Sequence, residues 1–193
     1  MERFRVIVIT PPEIVSGEAA IINSLLSSGA AERVHLRHPD ADCASMRAIL
    51  EEIPQALRRR VSLHSHFSLA EECGAGGIHL NSRSPQCSGS PEFLSISCHT
   101  LEEAETAARS GRFSYITLSP VYDSISKPGY TARLSPGDAT LRQMLERNRT
   151  QTDVIALGGV TPEKFPELRA AGFAGAAMLG HVWNNIVTEK NIR

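Results

Sequence analysis

Residues 154–162 read VIALGGVTP and are the most specific local signal in the chain. Four apolar residues predict a buried strand, and the glycine pair Gly158-Gly159 ends it. Thr161-Pro162 is typical of the start of a helix, where proline is tolerated in the first turn. The stretch therefore predicts one strand-to-helix unit.

The same unit recurs along the whole chain. Short apolar runs cover residues 5–9, 34–37, 61–64, 78–81, 94–98, 115–118, 154–157 and 176–179. Several helical segments follow them, such as residues 100–109, where Thr100 is a candidate N-cap with Glu103 three residues later. Eight alternations of nearly continuous apolar strands with helices predict an α/β protein, a closed (β/α)8 TIM barrel, rather than an open sheet. We expect residues 1–193 to form a single domain.

Two connections depart from this regular pattern. The connection between Asn81 and Phe93 has too few periodic apolar residues for a full helix. Residues 120–136 form a long loop after the sixth strand, which favours a binding loop or lid over a simple spacer. A solvated polar loop is the alternative for this segment.

Composition limits the classes of partner. Twenty Lys and Arg balance 21 Asp and Glu, and aromatic residues are few, which argues against binding to nucleic acid. The four cysteines show no CxxC pair, which indicates reduced thiols. The apolar stretch Val6–Ile9 is too short for a signal sequence or a membrane span. We expect a soluble, cytoplasmic protein without a membrane partner, and a homo-oligomer is compatible with this composition.

Histidines follow the predicted strands throughout the chain. All seven lie at the end of an apolar run or just after it: His35, His38, His64, His66, His79, His99 and His181. In a parallel barrel these positions share one rim, where barrel enzymes keep their active sites. His35 and Arg37 should point to one side of their strand, as should His64 and His66 if that strand continues. A single histidine more often caps a strand, but seven together predict an enzyme that moves protons.

The histidine spacing does not predict a metal site. The sequence contains no HxxxH or HExxH pattern, so zinc is the less favoured interpretation and we expect no bound metal.

Two glycine-containing segments predict a phosphate site. Without Cβ atoms, Gly158 and Gly159 allow backbone N–H groups to approach an anion, although a tight turn with positive φ is the alternative. Leu179-Gly180 closes the eighth strand, and the loops after strands 7 and 8 are where barrels frequently bind phosphate. Ser124, Ser126 and Lys127 in the long loop add hydroxyls and an ammonium group suited to phosphate oxygens.

Several segments together resemble the thiamine phosphate synthase and TenI superfamily. They are residues 34–37 (VHLR), 74–80 (GAGGIHL), 97–104 (SCHTLEEA), 119–122 (SPVY) through Lys127, 156–160 (ALGGV) and 171–175 (AGFAG), in family order. The resemblance implies a barrel that binds a thiazole phosphate on backbone groups at Gly159, Leu179 and Gly180. It also implies that the loop with Ser124, Ser126 and Lys127 covers the substrate, and it places Arg37 where synthases hold an arginine facing diphosphate.

The chain departs from the synthases of this family at the metal-binding positions. Synthases use an Asn-Asp pair after strand 3 and an aspartate after strand 4 to place Mg²⁺ on a pyrimidine diphosphate. The aligned residues here are His64-Ser65 and Ser84, and Pro39 replaces a lysine near Arg37. Because Mg²⁺ prefers carboxylate oxygens, the usual coupling reaction is expected to be impaired.

The resemblance therefore favours a TenI-like thiazole tautomerase that needs no cofactor. His99 aligns with the acid/base histidine of TenI enzymes, and Lys127 and Arg37 would hold the substrate carboxylate, with His35 and His64 as further contacts. Two alternatives remain open: a divergent synthase that uses Mg²⁺, and a non-catalytic protein that binds a phosphate ligand. A phosphosugar isomerase is less favoured because Asp123, its candidate base, lies beyond the proline of the loop.

Overall fold

Eight parallel strands form a closed barrel in the computed structural model, which describes residues 4–123 and 134–184. The strands, in barrel order, are β1 (Arg5–Ile9), β2 (Arg33–Leu36), β3 (Val61–Leu63), β4 (Gly77–Leu80), β5 (Phe93–Cys98), β6 (Tyr115–Leu118), β7 (Asp153–Leu157) and β8 (Gly175–Met178). The predicted α/β barrel is confirmed. Every predicted strand agrees with the structure to within one residue at each end.

Seven α-helices connect these strands. They are α1 (Glu18–Ser27), α2 (Cys43–Glu52), α3 (Gln55–Arg58), α4 (Ser68–Cys73), α5 (Leu101–Arg109), α6 (Ala139–Asn148) and α7 (Phe165–Ala171) in the described residues. A 3-10 turn, Pro162–Lys164, precedes α7 and contains the proline expected near this helix start. Residues 82–92 contain no helix, as the sequence predicted.

The predicted start of α5 is confirmed in atomic detail. The side chain of Thr100 accepts a hydrogen bond from the backbone of Glu103, whose carboxylate accepts one from the backbone N–H of Thr100. This capping box satisfies backbone donors that have no partner within the helix. It fixes the point at which the chain turns from β5 into α5.

The described residues divide into two compact units by their contacts. One unit is Ile7–Ser95, and the other contains residues 4–6 with the described residues from 96 onward. In the second unit, alternate residues of the strands, such as Ile116 and Leu118, pack against Leu141 and Leu145 of α6. In the first unit, the apolar residues of β2 to β4 are fully buried.

Parallel pairing determines which side chains of neighbouring strands lie side by side in the first unit. His35 pairs with Ser62, and Ser62 pairs with Gly77, so these three positions lie side by side. Because alternate residues of a strand share a face, Arg33, His35, Ser62, Gly77 and His79 lie on one polar face.

No helix of the described residues has the length and apolar character needed to span a bilayer.

Candidate active site

His99 and Ser119 form a pair at the carboxyl ends of two adjacent strands. His99 follows β5 directly and is exposed, whereas Ser119 follows β6 and is buried. The Ser119 hydroxyl lies 3.2 Å from Nδ1 of His99. This contact engages one of the two ring nitrogens and thereby orients the exposed ring. An imidazole held in this way is suited to accept and return a proton.

The helix cap also holds His99 through its backbone. The Glu103 carboxylate accepts a hydrogen bond of 2.6 Å from the backbone N–H of His99, in addition to its bond within the capping box. The backbone N–H of Ser119 donates to the carbonyl of Cys98, which pairs the two strand ends directly. Main-chain and side-chain contacts therefore both fix His99 relative to Ser119.

The glycine pair after β7 packs closely against the segment that follows β6. Gly158 and Gly159 have φ values of 97° and 60°, which favour glycine. A Cβ on Gly159 would lie 2.1 Å from the carbonyl oxygen of Asp123. Tyr122 donates its backbone N–H to the carbonyl of Gly158. These glycines form a tight turn with positive φ, which positions the residues that follow Ser119.

The same turn also presents a backbone donor. Within residues 4–123 and 134–184, no carbonyl or side chain accepts a hydrogen bond from the N–H of Gly159. Leu179 is half-buried after β8, and Gly180 is buried at the start of helical residues 180–184. Because Gly180 begins this helical turn, its N–H has no partner within the turn. Both predicted phosphate segments are compatible with anion binding through the backbone.

Three predicted residues lie outside the described residues. They are Ser124, Ser126 and Lys127, which lie in the segment 120–136 that the sequence predicts to be a long loop. Their predicted contacts with substrate stay predictions.

In the first unit, three histidines contact one another. His35 of β2, His79 of β4 and His64, which follows β3, are all buried. Nδ1 of His35 lies 2.9 Å from Nε2 of His64, and the rings of His64 and His79 stack with their centroids 4.3 Å apart. Burial lowers the pKa of His79 to about 3, and burial together with His79 and His35 lowers the pKa of His64. His64 and His79 are therefore neutral at pH 7, unlike a phosphate-binding cation.

The other residues singled out near β2 have different environments. Arg37 is half-buried just beyond β2, and burial followed by the charge of Arg83 lowers its pKa. His38 is buried against the carboxylate of Glu18 and does not contribute to the histidine cluster. The strand β3 ends at Leu63, so the strand does not continue far enough for His64 and His66 to share a strand face. Instead, His66 has φ 50° and its Nε2 contacts the carbonyl of Ala41.

The residues at the expected Mg²⁺ positions do not fit that ion. His64 is a neutral imidazole, and the Ser65 hydroxyl is buried without a hydrogen-bond partner among the described residues. The side-chain oxygen of Asn81 accepts hydrogen bonds from the backbones of Arg83 and Ser84. These positions offer no carboxylate, whereas Mg²⁺ usually takes one or two carboxylates from the protein.

Sequence reasoning missed the contacts among His35, His64 and His79, and the role of Ser119. A signal was present, because a histidine lies at or near the end of three successive apolar runs, in VHL, LHS and IHL. Parallel strands in register bring such positions together. The Ser119–His99 contact had no comparable signal, since 20 residues separate the two side chains.

Comparison with known proteins identifies related sequences. Residues 6–182 match the TMP-TENI family model, described as thiamine monophosphate synthase. A putative thiamine-phosphate synthase of Geobacter sulfurreducens is 28% identical over 178 residues, which is 84% of this chain and 78% of that protein. A thiamine-phosphate synthase of Listeria welshimeri is 29% identical over 121 residues, 59% of this chain and 56% of that protein.

A solved structure shares both fold and sequence. The crystal structure of thiamine phosphate pyrophosphorylase from Bacteroides thetaiotaomicron superposes with a TM-score of 0.76 at 33% sequence identity. The match covers 94% of this chain and 85% of that chain.

Proposed function

Because the chain belongs to the thiamine monophosphate synthase family, we propose that it is an enzyme of thiamine biosynthesis that tautomerises a thiazole carboxylate phosphate without a metal. The observation that carries this proposal is the type of side chain found where synthases of the family hold their Mg²⁺ ligands. His64, Ser65 and Ser84 occupy those positions, and none is a carboxylate. A diphosphate would therefore lack the charge that stabilises its departure.

The proposed proton transfer uses His99. If Nδ1 donates its N–H to the Ser119 hydroxyl, the lone pair of the ring is on Nε2. Nε2 takes a proton from one atom of the non-aromatic thiazole ring, and the imidazolium returns a proton at another atom. The product is an isomer with an aromatic ring, so no oxidant, reductant or leaving group is needed. Ser119 orients the ring throughout this sequence.

Charged and backbone groups account for binding of the anionic substrate. The N–H groups of Gly159 and Gly180 are proposed to bind the phosphate, with Leu179 beside them. Arg37 and Lys127 are proposed to balance the carboxylate, and Ser124 and Ser126 to contact the remaining oxygens. The half-burial of Arg37 supports this assignment, because a partly desolvated guanidinium binds a carboxylate more strongly than an exposed one.

Spectroscopic assay of the isomerisation tests this function. Purified protein with the non-aromatic thiazole tautomer should produce the absorbance of the aromatic product in the presence of EDTA. His99→Ala should slow the reaction by about 10²–10⁴-fold, the range for general acid–base catalysis. His66→Asn is the matched control, since asparagine tolerates the positive φ at this position. A rate equal to that in buffer would refute the proposal.

The names of the relatives support a second candidate, a divergent thiamine phosphate synthase. This reaction would couple a pyrimidine diphosphate to thiazole phosphate and release diphosphate. Formation of thiamine phosphate from both substrates, abolished by EDTA and restored by Mg²⁺, would establish it in place of the tautomerase. Binding of thiazole phosphate without either reaction would instead indicate a non-catalytic protein.

A further inference from the structure

The histidine cluster of the first unit consists of His35, His64 and His79. Each residue offers one ring nitrogen, and these three atoms all lie within 4.8 Å of one another. The ring centroid of His35 lies 5.0 Å from that of His64 and 4.7 Å from that of His79. Three buried imidazoles therefore lie together at neighbouring strands. Imidazole nitrogens are common ligands of Zn²⁺ in proteins.

Hydrogen bonds indicate which nitrogen of His79 carries the lone pair. Nδ1 of His79 lies 2.8 Å from the hydroxyl of Ser95, and that hydroxyl donates to the carbonyl of Ile78 at 3.4 Å. Because the Ser95 proton is directed to Ile78, Ser95 accepts the Nδ1–H of His79. The lone pair of His79 is therefore on Nε2. Ligating histidines in metalloproteins usually donate their second ring nitrogen in this way.

His35 and His64 share a single proton. Their contacting nitrogens, Nδ1 and Nε2, are 2.9 Å apart, so one ring donates and the other accepts. For a divalent cation to bind both nitrogens, the donating ring must shift its proton to its other ring nitrogen, so that both imidazoles stay neutral and each presents a lone pair. At a Zn–N distance of about 2.0–2.1 Å, tetrahedral geometry separates two ligand nitrogens by about 3.4 Å. This separation is about 0.5 Å longer than the 2.9 Å between these two nitrogens.

We propose that His35, His64 and His79 form a site for a borderline-soft divalent cation such as Zn²⁺ or Co²⁺. Three neutral imidazoles suit zinc, cobalt or nickel and are poor ligands for Mg²⁺. They leave the fourth position of a tetrahedral ion for water or an anion. The positive charge of Arg37, which acts on His64, favours an anion there.

The surrounding backbone holds the ligands in place. The side-chain amide of Asn81 donates to the carbonyls of His64 and His79, at 2.9 Å and 3.2 Å. It therefore ties together the two strand ends that carry these histidines. His35 lies within β2, and the pairing of β2 with β3 places His35 beside Ser62. Ligands on paired strands keep their geometry better than ligands on loops.

Proton transfer by His99 does not pass through the cluster, and the site is tested by binding and stability instead of turnover.

Metal titration of the 193-residue chain tests the site. After treatment with a chelator and its removal, Co²⁺ should bind with one equivalent per chain and give the intense visible absorption of tetrahedral coordination. Zn²⁺ should displace it and raise the melting temperature, because an ion that binds only the folded state stabilises that state. Mg²⁺ at the same concentration should do neither. Absence of tetrahedral absorption, or an equal effect of Mg²⁺, would overturn the inference.

Variants assign the bound ion to these residues. His79→Asn should abolish the tetrahedral absorption, whereas His66→Asn, outside the cluster, should preserve it. Ser95→Ala keeps all three ligands but removes the partner of His79, and should weaken Co²⁺ binding by about 10- to 100-fold. If His79→Asn does not fold, the Co²⁺ affinity of Ser95→Ala tests whether the ion binds at these histidines. Unchanged affinity in folded His79→Asn or in Ser95→Ala would show that the ion binds elsewhere.

Discussion

Oε1 of Glu18 lies 2.6 Å from Nε2 of His38, and both side chains are excluded from solvent. The second carboxylate oxygen of Glu18 accepts a hydrogen bond from the backbone of Val15, and Nδ1 of His38 lies 3.4 Å from the carbonyl of Pro12. One buried pair therefore connects the start of α1, the loop before it and the residues after β2. It fixes the conformation of the loop that follows β1.

Removal of Glu18 should destabilise the fold. Glu18→Ala leaves His38 buried without this partner, and a buried polar group that loses its hydrogen bond costs about 1–3 kcal/mol. Urea denaturation should show this loss in the free energy of unfolding. Glu13→Ala, on the same loop but exposed, should change the free energy by less than about 0.5 kcal/mol. Equal effects of the two substitutions would contradict the assigned role of the pair.

Much of the fold could be predicted because local sequence determines it. Each strand is a short apolar run followed by a polar or breaking residue, as in residues 154–162. The capping box of Thr100 and Glu103 depends on residues three positions apart, so its atomic contacts could be predicted directly. Burial and capping both act over a few residues, which is the range that a sequence pattern reports.

The candidate site was harder to predict because its contacts join distant residues. His35 and His64 are 29 residues apart, and their contact depends on strand register. Whether His64 and His66 share a face depended on how far β3 continues, and the structure ends β3 at Leu63 and turns the chain at His66. A histidine pattern shows where titratable groups occur, but the fold decides which of them are exposed and which become neutral.

Glu103 is predicted to support catalysis by holding the backbone of His99. Glu103→Ala removes the acceptor of the His99 N–H, and turnover of the thiazole tautomer should fall about fivefold, the rate equivalent of about 1 kcal/mol in hydrogen bonding. Glu103→Gln keeps a side-chain oxygen and should restore most of the rate. Steady-state kinetics of both variants measures the difference. Identical rates in the two variants would exclude a role for this acceptor.

Ser119 is predicted to orient the ring of His99. Ser119→Ala removes the hydroxyl at 3.2 Å and should lower kcat by about five- to tenfold with little change in KM, because the orientation matters for proton transfer more than for binding. Ser110→Ala, which removes a hydroxyl bonded to the carbonyl of Ala107, serves as the control. An increase in KM alone would assign Ser119 to substrate binding.

Gly159 is predicted to tolerate no side chain. A Cβ at this position would overlap the carbonyl oxygen of Asp123, so Gly159→Ala must displace the segment that begins the long loop. Gly111 is a matched control, because its φ of 63° is similar and a Cβ added there would have no atom within 4 Å. Gly111→Ala should cost about 1–2 kcal/mol of conformational strain. Gly159→Ala should cost more and should also weaken thiazole phosphate binding, measured by calorimetry.

Acid is predicted to destabilise the protein through His79. Burial lowers the pKa of His79 to about 3 in the folded state, whereas the unfolded chain has a pKa near 6.5. Between these values the unfolded state binds more protons, so stability rises with pH and is lost as pH falls from about 6.5 toward 3. The loss from this residue approaches about 1.4 kcal/mol for each pH unit. His79→Gln removes the titrating group, so its free energy of unfolding in urea should depend less on pH over this range. An unchanged pH dependence in folded His79→Gln would show that other groups cause the acid sensitivity.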